Sequence, residues 1–381
     1  MELVWGDVLL KVLFFIPNLA HGGAERVLVN LVNHMDYDKF DITVQTMFDV
    51  GIYRDKLNKQ VRYIGGFPWY FKGNTLVYKL FTPKQLYKMY VKEEYDVIVS
   101  YLEGPSARVV SGCTNSKTKL VNWMHIELEN EAYATHVFRN MAEAERCYRS
   151  FDRIACVSET VKKSFNSMFK VNAPVDVFYN TVETEVIRKN SEELIEDLKF
   201  NSEEINIISV AKLMKSKGYD RLVKVQKKLR ADGFKTHVYI VGKGEEQNHL
   251  QKLIEENNIV DSWTFVGFKS NPYKYVKNAD LYVCSSRKEG FSTAVTEALI
   301  VGTPVVSTNC SGATELLGYN NEYGIVTENN EEALYEGIKK MISDKKVFDY
   351  YKKQAKTRGN KFSTSETVKV VEEMLEEVAA E

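Results

Sequence analysis

The sequence predicts an α/β protein built from two doubly wound parallel sheets, and three observations predict it. Its 381 residues exceed what one hydrophobic core usually serves, so two domains of about 180 residues each are expected. Short β-branched runs alternate with longer amphipathic segments. The runs are continuously apolar, as strands buried on both faces of a parallel sheet must be. The alternation then restarts midway, at Ile205, which marks a second sheet with its own core.

In the first half, strands are expected over residues 11–16, where Val12-Leu13-Phe14-Phe15-Ile16 is unbroken, and over 40–47, 95–101, 119–124 and 153–157. Helical stretches fall at 25–35 and 159–165, where apolar residues recur at helical spacing. The second half repeats the scheme, with strands at 205–210, 236–241, 262–266, 281–284 and 304–307. Residues 191–204 are dense in Glu, Asp, Asn and Lys, and the hinge is placed just before them, after Tyr179-Asn180-Thr181-Val182. The division is 1–186, 187–363, and a terminal helix, 364–381, whose stripe of Val368, Val371, Met374, Leu375 and Val378 needs something to cover it.

Composition removes several function classes. Apolar residues at 44% and charged residues at 27%, with 7 prolines, describe a folded globular chain rather than a disordered or fibrous one. Acidic and basic residues nearly cancel, 52 against 51, so no field over the whole molecule calls for nucleic acid. Cys113, Cys147, Cys156, Cys284 and Cys310 are odd in number and never form a Cys-x-x-Cys pair. That argues against a disulfide framework and a zinc site, and for a reducing compartment. No apolar run reaches the length of a membrane span, and Glu2 and Asp7 stand where a signal peptide carries Lys or Arg. A cytoplasmic location is expected.

The strongest chemical signal follows the strand Leu281-Tyr282-Val283-Cys284. Gly290, Phe291, Ser292 and Thr293 sit where a helix begins, and the unpaired N–H groups and dipole of a helix start hold phosphate well. Glu289 in the loop and Glu297 about a turn into the helix can bracket a diphosphate and accept hydrogen bonds from hydroxyls on either side. Taken by itself the spacing leaves a second reading open, in which Glu289 caps the helix and Glu297 is solvated.

Glu289 and Glu297, inside Glu-Gly-Phe-Ser-Thr-Ala-Val-Thr-Glu-Ala-Leu, resemble the E-x7-E motif of the family 4 retaining glycosyltransferases. Gly302-Thr303-Pro304-Val305-Val306, Ser311-Gly312-Ala313-Thr314-Glu315-Leu316, Gly22-Gly23-Ala24-Glu25, Val157-Ser158-Glu159, Lys217-Gly218-Tyr219-Asp220 and Phe265-Val266-Gly267-Phe268 also resemble that family's pattern, in order and over nearly the whole chain. The resemblance implies the GT-B fold, two Rossmann-like domains facing a central cleft, and transfer of a hexose or N-acetylhexosamine from a nucleotide sugar, UDP-linked on family frequency. It implies that Glu297 holds the ribose, that Glu289 meets the donor sugar, and that the loop after the first strand of the second domain neutralises the diphosphate. Where the family usually has an arginine there, this chain has Lys212, followed by Lys217; a lysine supplies the charge without the bidentate fork.

In the first half, Gly22 and Gly23 follow a strand and open a helix, so backbone can approach a bound group closely. A tight strand-to-helix turn is the plainer reading. His125 stands at the carboxyl end of a strand, where α/β sheets form ligand crevices; by itself a structural histidine is the plainer reading, and the resemblance implies one there that reaches the donor sugar. The expected catalytic set is His125, Glu289 and Lys217. Retaining members of the fold use position and electrostatics rather than a protein nucleophile, with the leaving phosphate taking the proton. No cofactor or metal is expected, and Asp36-Tyr37-Asp38 reads as a surface turn.

Residues 67–92 interleave Trp69, Tyr70, Phe71, Tyr78, Phe81, Tyr87 and Tyr90 with Lys72, Lys79, Lys84, Lys88 and Lys92, without an acidic residue. Two readings stay open: a face for an anionic membrane, which would suit a lipid-linked saccharide acceptor in bacterial surface polysaccharide synthesis, or a helix with an aromatic core side and a solvated lysine side. A nucleotide-sugar epimerase and a non-catalytic sugar-nucleotide-binding module remain rivals. A nicotinamide dehydrogenase is weaker, since Gly242-Lys243-Gly244-Glu245-Glu246-Gln247 lacks the third glycine.

Overall fold

The computed structural model describes residues 9–20, 22–69 and 74–381. Expectations that fall on the first eight residues, on His21, or on Tyr70, Phe71 and Lys72 lie outside the described residues. The chain forms two compact units, residues 1–182 with 364–381, and residues 183–363.

The first unit holds seven strands: β1 Leu10–Ile16, β2 Phe40–Thr46, β3 Arg62–Ile64, β4 Val97–Ser100, β5 Lys119–Met124, β6 Arg153–Cys156 and β7 Val175–Val177. All are parallel, in the order β3-β2-β1-β4-β5-β6-β7. Val12 to Ile16 of β1 and Val97 to Val99 of β4 are fully buried, as the unbroken apolar runs require. Helix Thr364–Ala380 belongs to this unit and packs on helix Gly23–His34 and on β4. Its stripe of Val368, Val371, Met374, Leu375 and Val378 is buried there.

The second unit holds β8 Ile205–Val210, β9 Thr236–Val241, β10 Trp263–Gly267, β11 Leu281–Cys284, β12 Val305–Thr308 and β13 Ile325–Thr327, parallel and ordered β10-β9-β8-β11-β12-β13. Its core joins Ile207, Val238, Ile240, Leu281 and Val283 of the sheet to Leu222 and Leu229 of helix Tyr219–Ala231 and to Leu334 and Ile338 of helix Glu331–Ser343.

The boundary between the units falls after Val182, four residues earlier than the division at 186, because helix Thr184–Ser191 packs on helices Tyr273–Asn278 and Thr293–Ile300 of the second unit. The polar stretch 191–204 is not a free linker either. Lys269 and Tyr275 bond Asp197, and Lys274 bonds the Leu194 carbonyl. Three short strands, β3, β7 and β13, escaped the sequence pattern. Each has three residues and lies at or beside a sheet edge, where alternation is too brief to register.

In each sheet the chain winds outward from the first strand, then crosses back to place the fourth beside it: β4 beside β1, β11 beside β8. At such a reversal α/β sheets form their ligand crevice, at the carboxyl ends of the two strands. Two such crevices, one per unit, position the chemistry.

Candidate active site

The crevice of the second unit lies between the loop after β8 and the loop after β11. The first loop runs from Ala211 through a single 3-10 turn, Lys215–Lys217, to Gly218, which both ends the turn and begins helix Tyr219–Ala231. Gly218 has φ +66°, and a Cβ there would stand 2.2 Å from the Ser285 carbonyl oxygen. Only glycine admits both that conformation and so close a neighbouring backbone. The two loops are then stitched together. Ser285 Oγ donates to the Lys217 carbonyl at 2.8 Å, Arg287 N donates to the Ser216 carbonyl at 2.7 Å, and the Arg287 guanidinium forks onto both oxygens of Asp220 at 2.6 Å.

This stitching brings Lys217 and Glu289 together. Lys217 Nζ lies 2.7 Å from Glu289 Oε1, and the two side chains are only 22% and 14% exposed. Burial pulls the Lys217 ammonium down, but the charge and hydrogen bond of Glu289 outweigh it and leave the group above its ordinary value. Lys217 is therefore a cation at any physiological pH. Ser286, which the motif reading passed over, donates its hydroxyl to the same Oε1 at 2.6 Å. Lys212 is exposed on the same loop as Lys217 and makes no ion pair among the described residues.

After Glu289 the chain turns through Gly290 and Phe291 to Ser292, whose side chain caps helix Thr293–Ile300 by accepting from Val295 N. Of the first-turn amides of that helix, Val295 N is thus taken by the cap. Glu297 sits in the second turn and is 5% exposed, which removes the reading that left it solvated. Cys284 and Cys310 also meet here. The hydrogen bond from the buried Cys310 thiol lowers Cys284 below its ordinary value and raises Cys310 above its own. All five cysteines are free.

The first unit's crevice has a different lining. Gly22 and Gly23 start helix Gly23–His34, but the Glu25 carboxylate curls back over Gly22, where a Cβ would stand 1.7 Å from it, while the space beside Gly23 is open. Burial raises that Glu25 carboxyl above its usual range, against a smaller opposing effect of its own backbone hydrogen bond. His125 follows β5. Its N–H donates to Glu103 Oε2 at 2.8 Å, and its ring lies 4.8 Å from that of Tyr101 and stacks at 6.3 Å on Trp123. Tyr101 OH, Trp123 Nε1 and His125 Nε2 are buried without hydrogen-bond partners among the described residues. Burial pushes His125 down to about 3, so the imidazole is neutral. Asp36-Tyr37-Asp38 forms an exposed turn in which Asp36 Oδ1 accepts from Asp38 N.

Residues 67–92 divide between the two readings given for them. Leu86 and Tyr90 are buried, and Arg108, 1% exposed and paired with Glu143 at 2.9 Å, grips the carbonyls of Tyr78 and Phe81. Removing either member of that buried pair would cost about 3–5 kcal/mol. Trp69, Val77, Leu80 and Met89 are exposed, as are Lys84, Lys88 and Lys92.

Comparison with known proteins agrees with this arrangement. Residues 190–358 match the family model of Glycosyl transferases group 1, and residues 21–186 match that of Glycosyltransferase Family 4. A Campylobacter jejuni N-acetylgalactosamine-N,N'-diacetylbacillosaminyl-diphospho-undecaprenol 4-alpha-N-acetylgalactosaminyltransferase is 33% identical over 189 residues, 49% of either chain; the match thus spans about half the length of that relative. An uncharacterized glycosyltransferase of Haemophilus influenzae is 26% identical over 89% of this chain and 92% of its own. The Anabaena protein HepE, solved in complex with UDP-glucose, superposes with a TM-score of 0.78 at 19% identity, over 96% of this chain and 99% of that one. With two Rossmann-like sheets of GT-B type and two adjoining family matches from residue 21 to residue 358, the chain belongs to the family 4 glycosyltransferases.

Proposed function

We propose that the protein is a retaining glycosyltransferase that moves a hexose or N-acetylhexosamine from a UDP-linked donor to a lipid-linked saccharide during assembly of a bacterial surface polysaccharide. The observation that carries the donor half is the placement of Lys217, Glu289 and the buried Glu297 at the carboxyl ends of β8 and β11. A diphosphate there meets the exposed Lys212 and the first-turn amides of helix Thr293–Ile300. Glu297 accepts from the ribose hydroxyls and Glu289 from hydroxyls of the sugar. Lys217 solves a problem this arrangement creates, because a carboxylate next to a diphosphate is repelled unless a cation stands by it. With that cation charge supplied by lysine and helix dipole, transfer needs no metal.

The sugar leaves with its bond to the diphosphate breaking, and the incoming hydroxyl attacks on the same face, giving its proton to the departing phosphate. The protein contributes position and electrostatic stabilisation. Neutral His125 suits the acceptor or sugar, as it can hydrogen-bond without adding charge. Support for a lipid-linked acceptor comes from the diphospho-undecaprenol substrate in the name of the Campylobacter relative. The exposure of Trp69, Leu80 and Met89 and of Lys84, Lys88 and Lys92 in one segment supports it too, a composition suited to anionic headgroups. No described helix is long and apolar enough to cross a membrane, so such contact would be peripheral.

The test is calorimetric titration with UDP, GDP and ADP on the wild type and on Glu297→Ala. UDP should bind best and weaken about tenfold to a hundredfold in the variant, the loss of hydrogen bonds to a charged acceptor. Failure of folded wild-type protein to bind any of the three nucleotides would overturn the donor assignment.

A further inference from the structure

Glu289 Oε1 carries two donors, and that is one more than charge neutralisation needs. Lys217 Nζ at 2.7 Å already supplies the cation; Ser286 Oγ at 2.6 Å adds a neutral, short, directional bond to the same oxygen. We infer that Ser286 is a positioning residue that fixes which carboxylate oxygen of Glu289 meets the donor sugar, and so sets which sugar hydroxyl is read. The inference rests on the reading that Glu289 meets the sugar.

The physical argument starts from the lone pairs. A carboxylate oxygen has two in its plane, so Lys217 and Ser286 together saturate Oε1 and leave Oε2 as the acceptor. The terminal torsion of a glutamate is broad and nearly two-fold. A carboxylate held by one partner therefore swings, whereas one held by two donors from different directions does not. Lysine alone is a poor fixing point, because it sits on a flexible four-carbon stem and shares its charge with the diphosphate once the donor binds. Ser286 has neither weakness.

Its own placement is rigid. Ser286 is 3% exposed and lies two residues past β11, and its carbonyl is held by Thr308 Oγ1 at 2.6 Å. Thr308 is fully buried at the end of β12, and its hydroxyl also lies 3.3 Å from the Cys284 carbonyl. Lys217 comes from the loop after β8. The clamp on Oε1 is thus anchored in the β8 loop and, through β11 and β12, in the centre of the sheet. Oε2 is held in one place while the sugar hydroxyls of different donors stand in different places, which is how a fixed acceptor discriminates between epimers.

The experiment compares the wild type with Ser286→Ala, Ser286→Thr, Ser286→Cys and Glu289→Gln. Affinities for UDP and for the 4-epimers UDP-glucose and UDP-galactose are measured by calorimetry, with UDP release from each donor followed in parallel. Ser286→Ala should leave UDP affinity within about twofold, since UDP carries no sugar. It should lower UDP release from the preferred donor by about tenfold or more and shrink the preference between the epimers. Ser286→Thr, which keeps the hydroxyl, should restore both. Ser286→Cys keeps the shape with a weak donor, and should reproduce the alanine result even where alanine itself disturbs folding. Wild-type rate and epimer preference in the alanine and cysteine variants, with Glu289→Gln impaired, would overturn the positioning role alone. Wild-type behaviour of Glu289→Gln as well would overturn the reading of Glu289 on which it rests.

Discussion

The two crevices of this protein share a topology and differ in chemistry. Each opens at the carboxyl ends of the first and fourth strands of a parallel sheet, where the winding reverses. In the second unit the crevice is lined by charges tied to one another: Lys217 to Glu289, Arg287 to Asp220. In the first, buried Tyr101 and Trp123 stand behind a neutral His125, with Glu103 bonded to its backbone N–H and Glu25 curled over Gly22. The fold supplies a place for a ligand twice over; what each place can hold is decided by side chains at loop positions. Charges already paired, with Lys212 exposed beside them, suit a diphosphate, and a neutral imidazole near carboxylates suits the hydroxyls of a sugar.

The contrast can be sharpened by perturbing each unit alone. Replacing Lys84, Lys88 and Lys92 together by Ala should weaken binding to anionic phospholipid vesicles about a hundredfold, from about 1 kcal/mol per lysine, and leave calorimetric UDP affinity as it was. A change in UDP affinity, or vesicle binding that persists, would dissolve the division of labour between the units. Gly218→Ala and Gly23→Ala test the two strand-to-helix turns. Ala at 218 meets a left-handed conformation and the Ser285 carbonyl, so denaturant unfolding should show a loss of about 1–3 kcal/mol. Ala at 23 meets open space and should stay within about 0.5 kcal/mol. Equal losses at both would mean that the two loops after β8 and β11 do not approach as described.

A small effect belongs to His125. Its folded value of about 3 lies below the ordinary 6.5, so below pH 6.5 the unfolded chain takes up a proton that the folded chain refuses. Stability is then lost progressively as pH falls from 6.5 towards 3, and none is lost above 6.5. After allowing for the residue's partial exposure the cost is about 1 kcal/mol at pH 5. Melting temperatures from pH 4 to pH 8 should fall more steeply for the wild type than for His125→Gln. Parallel profiles would show that the imidazole is solvated and free to protonate.

Much of the second unit was legible in the sequence. The runs 205–210, 236–241 and 281–284 coincide with β8, β9 and β11, because strands buried on both faces are apolar on both, a pattern that Asn206, Ser209, Thr236 and His237 interrupt without breaking. The glutamate pair was legible too, since both carboxylates lie on one loop-helix segment and their spacing is local. Residues 67–92 were legible only as a composition. Whether an aromatic ring faces the core or solvent depends on what lies opposite, and here the buried Arg108–Glu143 pair holds Tyr78 and Phe81 by their carbonyls while Trp69 and Leu80 stay outside.

By itself the sequence determined the class of fold, the two cores, and the residue types at the proposed donor site, because periodicity and local spacing are properties of neighbours along the chain. Only the tertiary structure decided which charges pair, that Glu25 covers Gly22, that Ser286 shares an oxygen of Glu289 with Lys217, and that His125 is neutral. These depend on groups 3 to 72 residues apart in sequence, brought within hydrogen-bond reach by strand order, and on burial. Neither strand order nor burial is written in any single segment.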